Sequence, residues 1–96
     1  MTTQEIENQI KKTVFKHLNP SQYQAFLFGS RVKGSPRQWS DYDVGIHGKD
    51  AVPLETIGLI NEDLENSSLP VMVDVVDFSQ VPNTFKNIAL RNIKPW

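Results

Sequence analysis

The sequence contains no cysteine, so it forms no disulfide and offers no thiolate to a metal. That suits a reducing compartment, and a cytoplasmic location is expected. Long apolar runs are missing too, none approaching the ~20 residues of a membrane span. The opening residues, MTTQEIENQIKK, lack the basic start and apolar core of a signal peptide. Neither sign of charge is in excess: 10 Lys and Arg against 11 Asp and Glu leave a net charge of -1. General nucleic-acid binding, which needs a basic surplus, is therefore not expected. There is no internal repeat, no low-complexity segment and no linker. What remains is 96 residues, 39% hydrophobic and 22% charged, which reads as a single globular domain over residues 1–96.

The apolar pattern divides this chain into alternating elements. Thr2 and Glu5 have the spacing of a capping box, and Ile6, Ile10, Val14 and Leu18 then form one helical stripe as far as Asn19-Pro20. Ala25 to Phe28 is a short apolar run ended by Gly29 and reads as a buried strand. Tyr42, Val44 and Ile46 alternate with Asp41, Asp43, Gly45 and His47, which is strand periodicity. Pro53 opens a second helix with Leu54, Ile57, Ile60 and Leu64 on one face. Val71 to Val76 reads as a third strand, interrupted only by Asp74. Pro82 opens a last helix with Val81, Phe85, Ile88 or Ala89, and Ile93 inward. The order is helix, strand, strand, helix, strand, helix. The expected fold class is α+β, a small mixed β-sheet with helices packed on one face.

The chemistry concentrates in FLFGSRVKGSPRQWSDYDVGI, Phe26 to Ile46. Residues two apart on a strand share a face, so Asp41 and Asp43 point the same way. Two close carboxylates repel, and burial makes ionising both harder. Either one keeps its proton or a cation sits between them. If the strand carrying Asp74 lies alongside, three carboxylates converge, and an all-oxygen set suits Mg²⁺. Gly29 allows a sharp turn and a close backbone approach. Ser30 and its successors then present amide donors that attract phosphate, with Arg31, Lys33 and Arg37 adding positive charge. A phosphate cradle followed by a metal-binding pair points to a nucleoside triphosphate with Mg²⁺.

GSRVKG followed by SDYDVGI resembles the signature of the nucleotidyltransferase superfamily: Gly-Ser, ten residues, Asp-x-Asp. The short chain and the carboxylate in PVMVDVVDF are similar to the minimal nucleotidyltransferase (MNT) family within it. The resemblance spans roughly Phe26 to Phe78. It implies a nucleotidyltransferase fold of the polymerase-β palm type. It also implies roles: Gly29, Ser30, Arg31 and Lys33 on the triphosphate, and Asp41, Asp43 and Asp74 as catalytic carboxylates that hold two Mg²⁺ ions. The implied reaction is attack of an acceptor hydroxyl on the α-phosphorus, with pyrophosphate leaving. AMP from ATP is the expected donor chemistry. Many MNT proteins pair with a small helical HEPN protein, in some cases as antitoxin to its toxin, and such a partner is expected here.

Two other readings stand beside this one. The chain could neutralise a HEPN partner by contact alone, or modify a small hydroxylated molecule. A complex, with a partner or as a homo-oligomer, is expected over a lone monomer. Several residues stay outside the expected site. Asp77, on the opposite strand face from Asp74, reads as a turn or cap residue. His17 and His47 are not metal ligands in this reading. Trp39 reads as loop packing, Ser40 as a structural residue, and Pro95-Trp96 as part of a partner interface.

Overall fold

The computed structural model describes residues 1–29 and 41–96. Helix α1 (Thr3–His17) starts with the expected capping box. Thr2 Oγ1 accepts from the Glu5 amide at 3.1 Å, and Glu5 Oε1 accepts from the Thr2 amide at 3.2 Å. These bonds satisfy two of the donors that every helix start leaves open. They also hold the Glu5 carboxyl below its ordinary pKa. Strand β1 (Tyr23–Phe28) pairs antiparallel with β2 (Tyr42–Gly48). Helix α2 (Leu54–Glu65) carries the chain over to β3 (Val73–Asp77), which lies parallel to β2. Helix α3 (Asn83–Ala89) and a two-residue strand, β4 (Lys94–Pro95), complete the order. The sheet runs β3-β2-β1-β4, with β4 antiparallel to β1. β4 was not expected from the sequence, because two residues are too few to show a period.

The alternation of side chains sorts the sheet into two faces. On one face, Ala25, Leu27, Tyr42, Val44 and Ile46 pack with the α1 stripe and with Ile60 and Leu64 of α2. This is the main core, as the helical and strand periods implied. On the other face, Phe26, Phe28 and Phe78 form a separate aromatic cluster. The ring of Phe78 meets Phe26 at 4.9 Å and Phe28 at 5.0 Å, both edge to face, the geometry that aromatic quadrupoles favour. Gly45 belongs to this face, where a Cβ would run into the Phe26 ring. Val81, Ala89 and Ile93 close around the cluster. α3 itself buries no residue: Phe85 is 43% exposed and Ile88 57%. Of the expected pair Ile88 or Ala89, it is Ala89 that faces inward, whereas Phe85 differs from its expected inward placement, and so does Leu54, which stands clear of the core at the start of α2.

Polar side chains tie these elements at their ends. Glu7, buried on α1, holds Lys94 Nζ at 2.9 Å and accepts from Trp96 Nε1 at 3.3 Å. A buried carboxylate needs such partners. Trp96 also donates its amide to Ala25 O and packs on the main core. Its indole thus serves the fold. Asp77 behaves as expected of a turn residue: it accepts from the Val52 amide at 2.8 Å and from the Ser79 amide and hydroxyl. Asp63 of α2 lies 2.6 Å from His17 Nε2 and 3.3 Å from Lys16 Nζ, linking the two helices. Among the described residues, no helix is long and apolar enough to cross a membrane.

Candidate functional site

The site begins with strand register. Asp43 pairs with Phe28 across the antiparallel ladder and with Asp74 across the parallel one. Residues directly opposite one another share a face, so Asp43, Asp74 and Phe28 all stand on the face opposite α1 and α2. Asp41, one residue ahead of β2 in sequence from Tyr42 and exposed, lies two positions from Asp43. The three carboxylates named from the sequence thus belong to one end of β2 and β3, where backbone pairing holds Asp43 opposite Asp74 and Asp41 leads into β2.

Their proximity shows in Asp43. Its carboxyl is pushed above the ordinary aspartate pKa, first by burial, then by the charge of Asp74, then by that of Asp41. Burial and two like charges both penalise ionisation. Among the described residues, no group of three His, Cys, Asp or Glu side chains closes into a ready metal cage. The donor set nonetheless fits a hard cation. Mg²⁺ takes one or two carboxylates, keeps waters and completes its shell on substrate phosphates instead of using an all-protein cage.

Gly29 joins this group from β1. It has φ 78°, the left-handed region, which glycine enters without the Cβ penalty. A Cβ at Gly29 would overlap Asp43 Oδ2. The backbone leaving β1 therefore passes directly beside the Asp43 carboxylate. The sequence suggested a turn at Gly29, and the structure adds this contact. Ser30, Arg31 and Lys33, expected on the triphosphate, lie outside the described residues, as do Arg37, Trp39 and Ser40.

Two surroundings of the carboxylates had no clear sequence signal. A cleft of about 440 Å³ along the outer edge of β3 is lined by Asp74 together with Leu64, Leu69 and Met72. On the other side, Phe85 of α3 meets the ring of Phe28, the cross-strand neighbour of Asp43, at 6.2 Å. A helical stripe marks Phe85 as apolar but not as exposed beside Phe28. His47 stands on the same face as Asp43 but near the far end of β2, exposed. His17 is engaged with Asp63.

Comparison with known proteins gives a consistent picture. Residues 8–94 match the family described as polymerase beta, nucleotidyltransferase. The chain is 33% identical over 82 residues to the "Probable protein adenylyltransferase MntA" of Haemophilus influenzae, covering 85% of this chain and 71% of that protein. Its fold is similar to a chain of a toxin-antitoxin crystal structure with AMP-PNP, at TM-score 0.76 and 25% identity, over 94% of this chain and 72% of that one. It is also similar to a chain in the complex of the tri-AMPylated Shewanella oneidensis HEPN toxin with its MNT antitoxin. There the TM-score is 0.74 at 23% identity, over 99% of this chain and 72% of that one, and the likeness is one of fold.

Proposed function

The chain belongs to the polymerase-β nucleotidyltransferase family, and on that footing we propose that it transfers AMP from ATP to a hydroxyl of a HEPN-type partner, as the antitoxin of a toxin-antitoxin pair. The observation that carries this reading is the register that sets Asp43 against Asp74, with no room for a Cβ between Gly29 and the Asp43 carboxylate. The adenylyltransferase relative and the AMPylated toxin beside a fold neighbour support the choice of AMP and of a protein acceptor.

In this proposal Gly29, Ser30, Arg31 and Lys33 bind the triphosphate, and Asp41, Asp43 and Asp74 hold Mg²⁺. Two such ions would offset charge on the attacking and leaving oxygens. The chain's own work is positioning. Gly29 lets the phosphates approach the backbone beside Asp43. The acceptor hydroxyl reaches Asp74 from the open edge of β3, and the Asp74 carboxylate takes its proton. The acceptor oxygen then bonds to the α-phosphorus, the bond to the β-phosphate bridge breaks, and pyrophosphate leaves with the electron pair. Residues 1–96 act as one minimal domain in the cytoplasm, in complex with the partner.

The test incubates the chain with its HEPN partner, Mg²⁺ and ATP and weighs the partner by mass spectrometry. The expected result is a gain of AMP that Asp43→Asn abolishes. Transfer that survives the substitution, or no transfer under any condition, overturns the reading. In the second case, partner neutralisation by an Asp41/Asp43 double variant would identify a contact-only module.

A further inference from the structure

We propose that the ring of Phe85 is the platform on which the nucleobase of the bound triphosphate stacks. The inference rests on the nucleotide-binding reading above and assigns a residue that the family signature does not contain. Phe85 presents 43% of its surface to solvent, so an aromatic face is open to a ligand. Its ring is nevertheless held. Phe28 meets it edge to face at 6.2 Å and 88°, and Phe78 supports it at 5.9 Å. Phe28 and Phe78 are themselves 7% and 1% exposed, so the contact ring is anchored in a packed cluster while part of Phe85 stays open.

Placement supplies the second half of the argument. Phe28 lies directly across from Asp43, on the same face. One ring therefore separates Phe85 from the carboxylates, and Gly29 follows Phe28 immediately. A triphosphate seated at Gly29 with its α-phosphorus near Asp43 has its ribose and base left to place over this face. The base is a flat, apolar-faced group, and Phe85 is the exposed aromatic ring among the described residues that borders that space. Ile88 and Leu90 of the same segment are also exposed, but neither has a π-face. Stacking accepts any base, since each has a π-face, so Phe85 supplies affinity without base choice.

The experiment titrates the full chain, with Mg²⁺ present, with ATP and separately with inorganic tripolyphosphate. Wild type is compared with Phe85→Ala, Phe85→Leu and Phe85→Tyr. Stacking predicts that the Ala and Leu variants bind ATP about 5- to 150-fold more weakly, that Tyr restores it, and that tripolyphosphate binding stays constant in all four. Equal ATP affinity in Phe85→Ala overturns the inference, all the more if that variant loses affinity for the protein partner instead. Parallel loss of both ligands in Phe85→Ala and Phe85→Leu also overturns it, marking a structural role. Wild type that binds neither ligand removes the nucleotide reading itself, an outcome distinct from the others.

Discussion

Asp43 and Asp74 stand directly opposite each other in the parallel pairing of β2 with β3, two like charges held side by side by backbone register. Such a pair opposes folding. The Asp43 carboxyl is raised in the fold, by burial first and by Asp74 and Asp41 after it. The folded chain thus keeps this proton to higher pH than the unfolded chain does. Stability must fall as pH rises from the ordinary aspartate value through the raised one. Asp43→Asn should melt at a higher temperature than wild type near neutrality and lose that slope. Thermal melts followed by circular dichroism across this range give the answer, and a lower melting point for the variant at neutral pH would contradict it.

Gly29→Ala should do the reverse. A left-handed φ costs an L-residue about 1–2 kcal/mol, and the new methyl would also press on Asp43 Oδ2. The variant should unfold at lower urea and lose affinity for triphosphate more than its lost stability explains. Denaturant titration and calorimetry with ATP measure the two effects separately.

Glu7 offers a test of how Lys94 and Trp96 are held to α1. Glu7→Ala removes the partner of both Lys94 and Trp96 and should cost about 1–3 kcal/mol. Glu7→Gln, which keeps an acceptor for the indole, should cost less. The Trp96 amide, bonded to Ala25 O, should exchange with deuterium faster in the Ala variant, while amides in β2 should be slowed or hastened only with global stability.

Asp63 carries a pH effect of opposite sign to that of Asp43. Its carboxyl is held below the ordinary value by the hydrogen bond to His17 first and by Lys16 next. Its contribution is present above the unfolded aspartate pKa and is lost as pH falls through the lowered folded value. Asp63→Asn should flatten the acid side of the stability curve and leave the Asp43 slope in place. Because the pair is at the surface, salt should weaken the effect. Acid titrations of both variants at low and high ionic strength check this.

Periodicity carried most of the fold. The stripe of Ile6, Ile10, Val14 and Leu18 and the alternation of Tyr42, Val44 and Ile46 reported their own buried faces, because each side of those elements meets a different environment. The carboxylate pattern was equally plain in Asp41, Asp43 and Asp74, since an apolar strand has no structural need for them. Other features depend on contacts far apart in sequence. Glu7 reads as one more helix-surface charge until Lys94 and Trp96 arrive beside it. Phe85 reads as core because hydrophobicity alone does not tell a ring that is covered from one that is gripped at its edge and left open. The close approach of Gly29 to Asp43, which leaves no room for a Cβ, follows from strand register, which no local pattern specifies.

The parallel pairing of β2 and β3 also has a consequence for how this protein can change over time. The two carboxylates meet through register, and everything between them, from Ala51 through α2 to Met72, is connection. Insertions at the exposed residues around Ser68 can lengthen that connection and leave the pair in place. One residue gained or lost inside β2 or β3 would turn a carboxylate to the opposite face and into the main core. Length variation among descendants of this chain is thus channelled into the crossover, while the two strands can exchange side chains but not residues.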